Sequence, residues 1–190
     1  TVDDFPREVS ELEHLLGDVT PGQKLIANPG AGTQVPIWLL GSSLFSAQLA
    51  AEKGLPYAFA SHFAPRMLLQ AVELYRARFK PSKVLAQPHV MIGLPIVAAP
   101  TDDEAEFLAT STEQRVLGIL KGERGRLPPP VAGFRATLSP SEHAGVADFL
   151  GAAVIGGPDT VRAGLTRLLE LTQADEVMMV SDVFDPALRW

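Results

Sequence analysis

The sequence predicts an α/β fold in which most strands are parallel. Short apolar runs lie near residues 37, 57, 90 and 176, and segments with the apolar spacing of helices separate them. Continuous apolar runs are typical of strands that are covered on both faces, and strands that alternate with helices build parallel sheets. The length agrees, because 190 residues of which 46% are hydrophobic can form one domain around a real core. We therefore expect residues 1–190 to be a single domain.

Residues 36–63 hold the clearest strand–helix–strand pattern. The first apolar run, 37–40, ends at Gly41, and the second covers residues 55–60. The segment between them has apolar residues at helical spacing up to Gly54, a residue typical of helix C-termini. Because parallel strands of such a unit end at the same edge of the sheet, the polar residues that follow them lie where α/β folds bind ligands. These residues are Ser42, Ser43, Ser46, Ser61 and His62.

The rest of the chain continues the alternation of helices and strands. Apolar spacing, capping residues and Gly or Pro punctuation indicate the boundaries. We expect helices at residues 9–16, from Pro65 to Pro81, and at 102–120, 141–149 and 160–172. We expect strands at 87–98, with a bulge or break at Gly93 and Pro95, and at 176–180, and a short apolar segment at 153–155.

Two further segments have alternative interpretations. Residues 121–140 form a long loop rich in Gly and Pro, and loops of more than roughly 15 residues are often lids or binding segments and sometimes disordered. The pattern favours neither alternative. Residues 156–158, Gly-Gly-Pro, precede a helix and can seat an anion at its N-terminus. A plain helix start is the favoured interpretation.

Composition argues against several classes of function. A net charge of −6 and the absence of any dense Lys/Arg run argue against nucleic acid or an anionic membrane surface as the main partner. The sequence has no cysteine, and its four histidines lack metal-ligand spacing, so we expect no disulfide, no thiol nucleophile and no metal. No apolar stretch approaches the about 20 residues that a membrane span needs. We expect a cytoplasmic protein whose partner is a small molecule or another protein.

Several segments together resemble one known family. Residues 36–43, PIWLLGSS, and 54–63, GLPYAFASHF, carry most of this resemblance. The further matching segments, in chain order, are 75–76, 79–82, 101–105, 127–130, 157–161 and 174–178. On these segments the chain resembles the bacterial luciferase-like flavin monooxygenases, a family of eight-stranded α/β barrels. The resemblance places the first two segments at the fifth and sixth strands and implies the carboxyl-terminal half, about four βα units, of a TIM-type (β/α)8 barrel.

The resemblance also implies a flavin site at the end of the first predicted strand. In the family the flavin phosphate is held just after the fifth strand, which here implies the backbone of Leu40 and the hydroxyls of Ser42, Ser43 and Ser46. Serine hydroxyls and free amides at a helix start complement a phosphate, and the helix dipole favours its charge. The structural alternative for any one serine is a helix N-cap.

His62 and Phe63 follow the second predicted strand, where the family places residues that line the flavin ring and the substrate cavity. An aromatic side chain can pack on the ring, and a histidine can donate a hydrogen bond or move a proton near neutral pH. A catalytic role for His62 is the further hypothesis. Without the resemblance, His62 would be interpreted as a capping or surface residue.

The resemblance implies an FMN-dependent monooxygenase that uses reduced FMN and O2 on a small organic substrate, with this chain carrying the flavin-phosphate-binding half. One alternative is a non-catalytic flavin-binding or self-associating half-barrel. Another is a deazaflavin-dependent oxidoreductase of the same barrel family. The first four family strands have no counterpart here, so the expected partners are the missing amino-terminal half or a second copy in a homodimer, which would cover the open strand edges. A flavin reductase is expected as the source of reduced FMN.

Overall fold

The computed structural model describes residues 4–123 and 125–189 as alternating helices and strands. The strands are β1 (Leu39–Gly41), β2 (Tyr57–Ala60), β3 (Val90–Ala98), β4 (Val154–Gly156) and β5 (Glu176–Val180). The α-helices are α1 (Phe5–Leu16), α2 (Leu44–Lys53), α3 (Leu68–Arg78), α4 (Asp102–Leu120), α5 (Pro140–Phe149) and α6 (Pro158–Thr172). Short 3-10 turns cover Pro65–Met67, Phe134–Thr137 and Pro186–Leu188. None of the helices in these residues is both long and apolar enough to cross a membrane.

All pairings in the sheet are parallel, which confirms the predicted α/β class. The strands β1, β2 and β3 are neighbours in that order. The long strand β3 pairs with β5 through residues 91–95 and with β4 through residues 96–98. Parallel pairing makes all these strands end at one edge of the sheet, and the segments that follow them form one side of the molecule.

The predicted bulge or break in the third strand is wrong, since β3 is continuous. Gly93 is in register with both Ala60 and Met178, and Pro95 with Val180. The strand changes its partner from β5 to β4 directly after Pro95. The proline, which has no backbone N–H to donate, therefore stands at the boundary between two pairings and does not interrupt one of them.

One face of the sheet packs against helices and forms the core. Tyr57, Phe59, Ile92 and Leu94 are fully buried on this face. The helices α2 and α3 bring small residues to it, so that they approach closely, and Tyr75 of α3 donates a hydrogen bond of 3.0 Å to the carbonyl of Leu55. Each buried aromatic side chain removes a large apolar area from water, so this layer stabilises the fold.

The expectation that the first strand is residues 37–40 and is buried on both faces is wrong in both respects. The strand is Leu39–Gly41, and Leu40 is 65% exposed although its neighbour Leu39 is buried. Successive side chains of a strand point to opposite faces, and Leu39 points to the face that the helices cover. Leu40 points to the other face, on which the described residues place no helix over it.

Capping residues explain where α4 and α5 begin. The Thr101 hydroxyl accepts the backbone N–H of Glu104 at 3.2 Å, and the predicted helix 102–120 is confirmed to the residue. In α5, Ser139 and Glu142 form a reciprocal capping box, and Lys121 forms an ion pair with Glu142 at 2.7 Å. These contacts, first Lys121 and then Ser139, lower the pKa of Glu142 from 4.5 to about 2.

The lowered pKa of Glu142 predicts an acid-dependent loss of stability. The ionised carboxylate stabilises the folded state above pH 4.5, and this contribution disappears as the pH falls through about 2. The variant Glu142→Gln should therefore be less stable than the wild type in urea unfolding at neutral pH, and the difference should shrink towards zero near pH 2. The control is Glu104→Gln, because Glu104 occupies the same position of α4 but caps through its backbone N–H. A difference for Glu142→Gln that stays constant with pH would contradict this prediction.

Candidate functional site

The turn between β1 and α2 places two serines at a helix N-terminus. Ser43 is the N-cap of α2, and its hydroxyl accepts the backbone N–H of Ser46 at 3.4 Å. Ser43 is exposed and Ser42 is half-buried. A β-carbon added to Gly41 would overlap the Ser46 side chain, so only glycine lets the strand end pass this close to the helix. The turn thus presents hydroxyls and free backbone amides at the positive end of α2.

Ser46 lies under this turn and is only 7% exposed. Its hydroxyl donates to the carbonyl of Ser43 at 2.8 Å and lies 3.3 Å from the hydroxyl of Tyr57. Burial raises the pKa of Tyr57 above its ordinary value, so this phenol stays protonated and can donate. The Ser46 hydroxyl therefore joins the turn to β2 and supports the two serines above it.

His62 and Phe63 follow β2 at the same edge of the sheet. Their ring centroids are 4.2 Å apart, and Phe63 is 66% exposed. The imidazole of His62 lies against Gly93 of β3, where an added β-carbon would be 3.2 Å from Nδ1. The absence of a side chain at Gly93 thus makes room for the His62 ring on the sheet.

Both residues line a cavity of about 220 Å³ at the carboxyl ends of the strands. Its walls come from the ends of β2, β3 and β5 and from the helices α4 and α5. The lining residues are His62, Phe63, Pro95, Thr112, Arg115, Val116, Ile119, Phe149, Leu150, Val180 and Asp182. None of the four predicted phosphate-binding residues lines this cavity. The structure places them around the neighbouring strand end, with Leu40 in β1, Ser42 and Ser43 in the turn that follows, and Ser46 in the first turn of α2.

An ion pair between Arg115 and Asp182 stands in the cavity wall. The guanidinium of Arg115 donates to the Asp182 carboxylate, and the Thr112 hydroxyl donates to the Asp182 carbonyl at 3.4 Å. Among the described residues, His62 Nδ1 and Arg115 Nε are buried side-chain nitrogens without a hydrogen-bond partner. A buried group that is left unpaired costs about 1–3 kcal/mol, so such groups often mark a ligand site.

Sequence reasoning missed Arg115 and Thr112 because the middle of an amphipathic helix carries no signal for them. Arg115 and Asp182 are 67 positions apart, and only the folded chain brings them together. A signal did exist for Asp182, which follows β5 at the same edge of the sheet as His62. A carboxylate just after a parallel strand is typical of ligand-binding edges.

Several described residues of the loop 121–140 contact α4. Its backbone N–H at Val131 donates to the Thr110 hydroxyl at 2.9 Å, and Gln114 donates to the carbonyl of Pro129 at 2.9 Å. Further along, Arg135 forms a hydrogen bond of 2.9 Å to Glu113. The described part of this loop is thus hydrogen-bonded to α4 at several points. The expectation that the loop acts as a lid stays a prediction.

The Gly-Gly-Pro segment before α6 and the histidine at position 89 have partners within the chain. The Asp102 carboxylate accepts the backbone N–H of Gly157 at 2.6 Å. The possible anion-binding site before α6 is therefore already occupied by a carboxylate of this chain. This hydrogen bond is the main cause that lowers the pKa of Asp102. His89 Nε2 lies 2.7 Å from the Glu176 carboxylate, at the opposite edge of the sheet from the cavity. No group of three or more potential metal ligands occurs in the described residues.

Comparison with known proteins identifies the family. The family model described as luciferase-like monooxygenase matches residues 11–175. A curated relative, "Luciferase-like monooxygenase" of Escherichia coli (strain K12), is 47% identical over 188 residues. The chain belongs to the luciferase-like monooxygenase family. The match covers 99% of this chain and 56% of the relative. This chain therefore spans about half the length of the curated relatives that it matches.

Solved structures of luciferase-like and related proteins share the fold. The structure of apo-MsnO8 is 29% identical, has a TM-score of 0.86, and is matched over 100% of this chain and 57% of that one. The oxygenating constituent of 3,6-diketocamphane monooxygenase from Pseudomonas putida, in complex with FMN, is 17% identical with a TM-score of 0.51 over 86% of this chain and 47% of that one. The coenzyme F420-dependent tetrahydromethanopterin reductase of Methanopyrus kandleri is 17% identical, with a TM-score of 0.55. The match covers 95% of this chain and 57% of that one. The luciferase-like fold thus occurs with flavin and with F420 among its structural neighbours.

Proposed function

We propose that this chain is the flavin-phosphate-binding half of a luciferase-like monooxygenase that uses reduced FMN and O2 to oxidise a small organic substrate. The observation that carries the proposal is the turn after β1, where Ser42 and Ser43 stand at the N-terminus of α2. Family membership and a structural neighbour in complex with FMN support it. Hydroxyls and amides at a helix N-terminus fit a phosphate group.

The residues have distinct roles in this proposal. The Leu40 backbone and the hydroxyls of Ser42 and Ser43 bind the phosphate, since the Ser43 oxygen that accepts a capping N–H still has its own O–H to donate. Ser46 is the fourth proposed residue of the phosphate site, and it lies beneath the turn, where its hydroxyl donates to the Ser43 carbonyl and lies 3.3 Å from the Tyr57 hydroxyl. Bound reduced FMN supplies the electrons that oxygen accepts.

His62 and Phe63 are the proposed contacts of the flavin ring and the substrate. Phe63 exposes a large apolar face that can pack on a ring and exclude water. His62 lies beside it and can donate a hydrogen bond or hold a proton there. Residues 121–140 are the proposed lid, since described residues of this loop contact α4, a helix that contributes to the cavity wall.

The proposed architecture is the carboxyl-terminal half of a (β/α)8 barrel. Four parallel strands, β1, β2, β3 and β5, and a length of about half that of the relatives support it. The proposed partners are the amino-terminal half or a second copy, which would pair with the strands β1 and β5, and a flavin reductase that delivers reduced FMN. The proposed location is the cytoplasm.

A deazaflavin-dependent oxidoreductase is the second candidate, favoured by the F420-dependent structural neighbour. The phosphate-binding turn would serve either cofactor, because it contacts the phosphate and not the ring. A non-catalytic flavin-binding or self-associating half-barrel is the third candidate. The purified protein distinguishes them: FMN binding with turnover favours the first, F420 binding the second, and FMN binding or a dimer without turnover the third.

Titration of the chain with FMN, followed by flavin fluorescence with the mass recorded by light scattering, tests the phosphate site. We expect saturable binding, and the double variant Ser42→Ala, Ser43→Ala should weaken it at least about tenfold, because each hydrogen bond to a charged group contributes about 1.5–3 kcal/mol. Ser141→Ala, an exposed serine on α5, is the control. Equal affinity in the double variant and the wild type would show that the phosphate site is wrong.

A further inference from the structure

We propose that a cleft at the amino ends of the strands binds a small organic anion, one with an apolar body and a single negatively charged group, and that Lys83 contacts the charged group. This inference goes beyond the proposed function, because the cleft lies at the opposite edge of the sheet from the turn after β1. It depends on the position and volume of the cleft, on the contacts that hold its walls, and on the charges that line it.

The cleft is formed by the segments that lead into three neighbouring strands. Residues 34–37 precede β1, Leu55 precedes β2, and residues 83–84 precede β3. The remaining wall comes from the end of α1, through Glu13, His14, Leu16 and Gly17. Its volume of about 700 Å³ lies within the roughly 300–1,000 Å³ of small-molecule sites. Because parallel strands all begin at one edge of the sheet, the cleft lies at the amino edge.

Hydrogen bonds hold the walls of the cleft together. The backbone N–H of Gln34 donates to the Leu16 carbonyl at 2.9 Å, which joins the segment before β1 to the end of α1. The Ser82 hydroxyl donates to the Gly54 carbonyl at 2.9 Å and accepts the backbone N–H of Val84 at 2.9 Å. These two contacts join the segment before β3 to the segment before β2. A cleft whose walls are held in this way is formed before a ligand arrives, so binding orders little of the chain.

The lining of the cleft is more than half apolar. Six of its eleven residues are apolar: Leu16, Val35, Pro36, Ile37, Leu55 and Val84. Val35 is 54% exposed and Val84 is 56% exposed. A ligand that covers these side chains removes their apolar surface from water, which favours a ligand with an apolar body.

The carboxylates at the cleft already have partners within the chain. Among the described residues that line it, Glu13 is the one acid, and it forms an ion pair of 2.7 Å with Lys53. Asp18, which follows α1 and does not line the cleft, accepts the side-chain amide of Gln34 at 3.4 Å. A cationic ligand would therefore have to compete with Lys53 for Glu13.

Two basic side chains of the cleft are without a partner in the part of the chain that the structure describes. Lys83 and His14 both line the cleft, and neither makes a side-chain hydrogen bond or ion pair there. A lysine ammonium has three N–H donors and no acceptor, and a neutral histidine has one donor. The charge of Lys83 attracts an anion, and both side chains can donate to its oxygens. The charged group of the ligand is therefore a carboxylate or another oxyanion.

Three naphthalene derivatives of similar size test this inference by ligand-detected NMR at neutral pH and low salt. At this pH 2-naphthoate is an anion, 2-acetylnaphthalene is neutral and 2-naphthylmethylammonium is a cation. We expect 2-naphthoate to bind saturably and at least about threefold more tightly than the cation, and this difference should shrink as salt is added. Absence of 2-naphthoate binding to the folded chain, or tighter binding of the cation, would overturn the proposal.

The variant Lys83→Gln separates the contribution of charge from that of apolar contact. We expect 2-naphthoate to bind about threefold more weakly to this variant, the effect of an exposed ion pair, with 2-acetylnaphthalene binding unchanged. Lys80→Gln is the matched control, because Lys80 is an exposed lysine of the same segment that does not line the cleft. Equal affinity of 2-naphthoate for the two variants would overturn the proposal.

The variant Val84→Glu locates the bound probe. It adds a carboxylate to the cleft at an exposed position, and it should weaken 2-naphthoate binding at least about fivefold through repulsion of like charges. Leu171→Glu, at an exposed position of α6 outside the cleft, is its control and should bind 2-naphthoate as the wild type does. Binding of 2-naphthoate that is equal in both variants would place the probe elsewhere and overturn the proposal. The FMN titration reports on the other edge of the sheet, so the two proposals fail independently.

Discussion

Replacement of Gly41 by alanine is expected to lower the free energy of unfolding by about 3 kcal/mol, near the upper end for overpacked sites. The added β-carbon would overlap the Ser46 side chain, which is held by Ser43 and Tyr57 and cannot move aside without losing those hydrogen bonds. The turn after β1 would open, and FMN affinity should fall with it. Urea unfolding and the FMN titration measure the two effects.

Gly125→Ala is the matched control for Gly41→Ala. A β-carbon at Gly125 meets no atom within 4 Å, so this variant should stay within about 0.5 kcal/mol of the wild type. If Gly41→Ala is as stable as Gly125→Ala, then the close approach of the strand end to α2 does not contribute to stability, and the structural basis proposed for the turn is wrong.

Replacement of Arg135 by methionine should lower the free energy of unfolding by about 2 kcal/mol, a value below that of fully buried pairs because Arg135 is partly exposed. Glu113 is buried, and Arg135 donates to it at 2.9 Å and to Glu106 at 2.7 Å. The hydrogen bond to Glu113 is the first cause that raises the pKa of Arg135. Without the guanidinium, the Glu113 carboxylate remains buried without its charged partner.

The same substitution should release part of the loop 121–140 from α4. Limited proteolysis should then cut within this loop faster than in the wild type, while urea unfolding reports the stability loss. Arg126→Met, at an exposed position of the same loop, is the control. The double variant Arg135→Met, Glu113→Gln should recover part of the stability, because it removes the unpaired charge. Equal stability and equal cleavage in the two arginine variants would contradict this role of Arg135.

Local signals predicted helix boundaries well where a capping residue was present. Thr101 and its bond to Glu104 define the start of α4, and this contact spans only three residues. The helix after Pro65 was less well predicted: Pro65–Met67 is a 3-10 turn, α3 begins at Leu68, and it ends at Arg78, before Pro81. Pro81 lies two residues after the C-cap Phe79, a common position for a proline beyond a helix end.

Partners that are distant in the sequence explain what could not be predicted. Apolar residues at 37–40 indicate a strand, but only the position of the helices decides that Leu39 is buried and Leu40 is exposed. The inward orientation of Ser46 depends on Tyr57, 11 residues away. The pairing of Arg115 with Asp182 has no local signal at all. Sequence patterns therefore predicted the edge of the sheet that carries the candidate site, and the folded chain was needed for the cavity.

The change of partner along β3 has a consequence for how the protein can vary. Residues 99–153 leave the sheet at the end of β3 and return in β4, which pairs with the same end of that strand. Because β4 pairs with the end of β3, this segment begins and ends at the same place in the sheet, and a change in its length moves no other strand pair. Doubling the length of a flexible loop costs only about 0.6 kcal/mol in closure entropy. The segment contains α4, the loop 121–140 and α5. The loop 121–140 can thus lengthen or shorten while the strand pairs of the sheet stay the same.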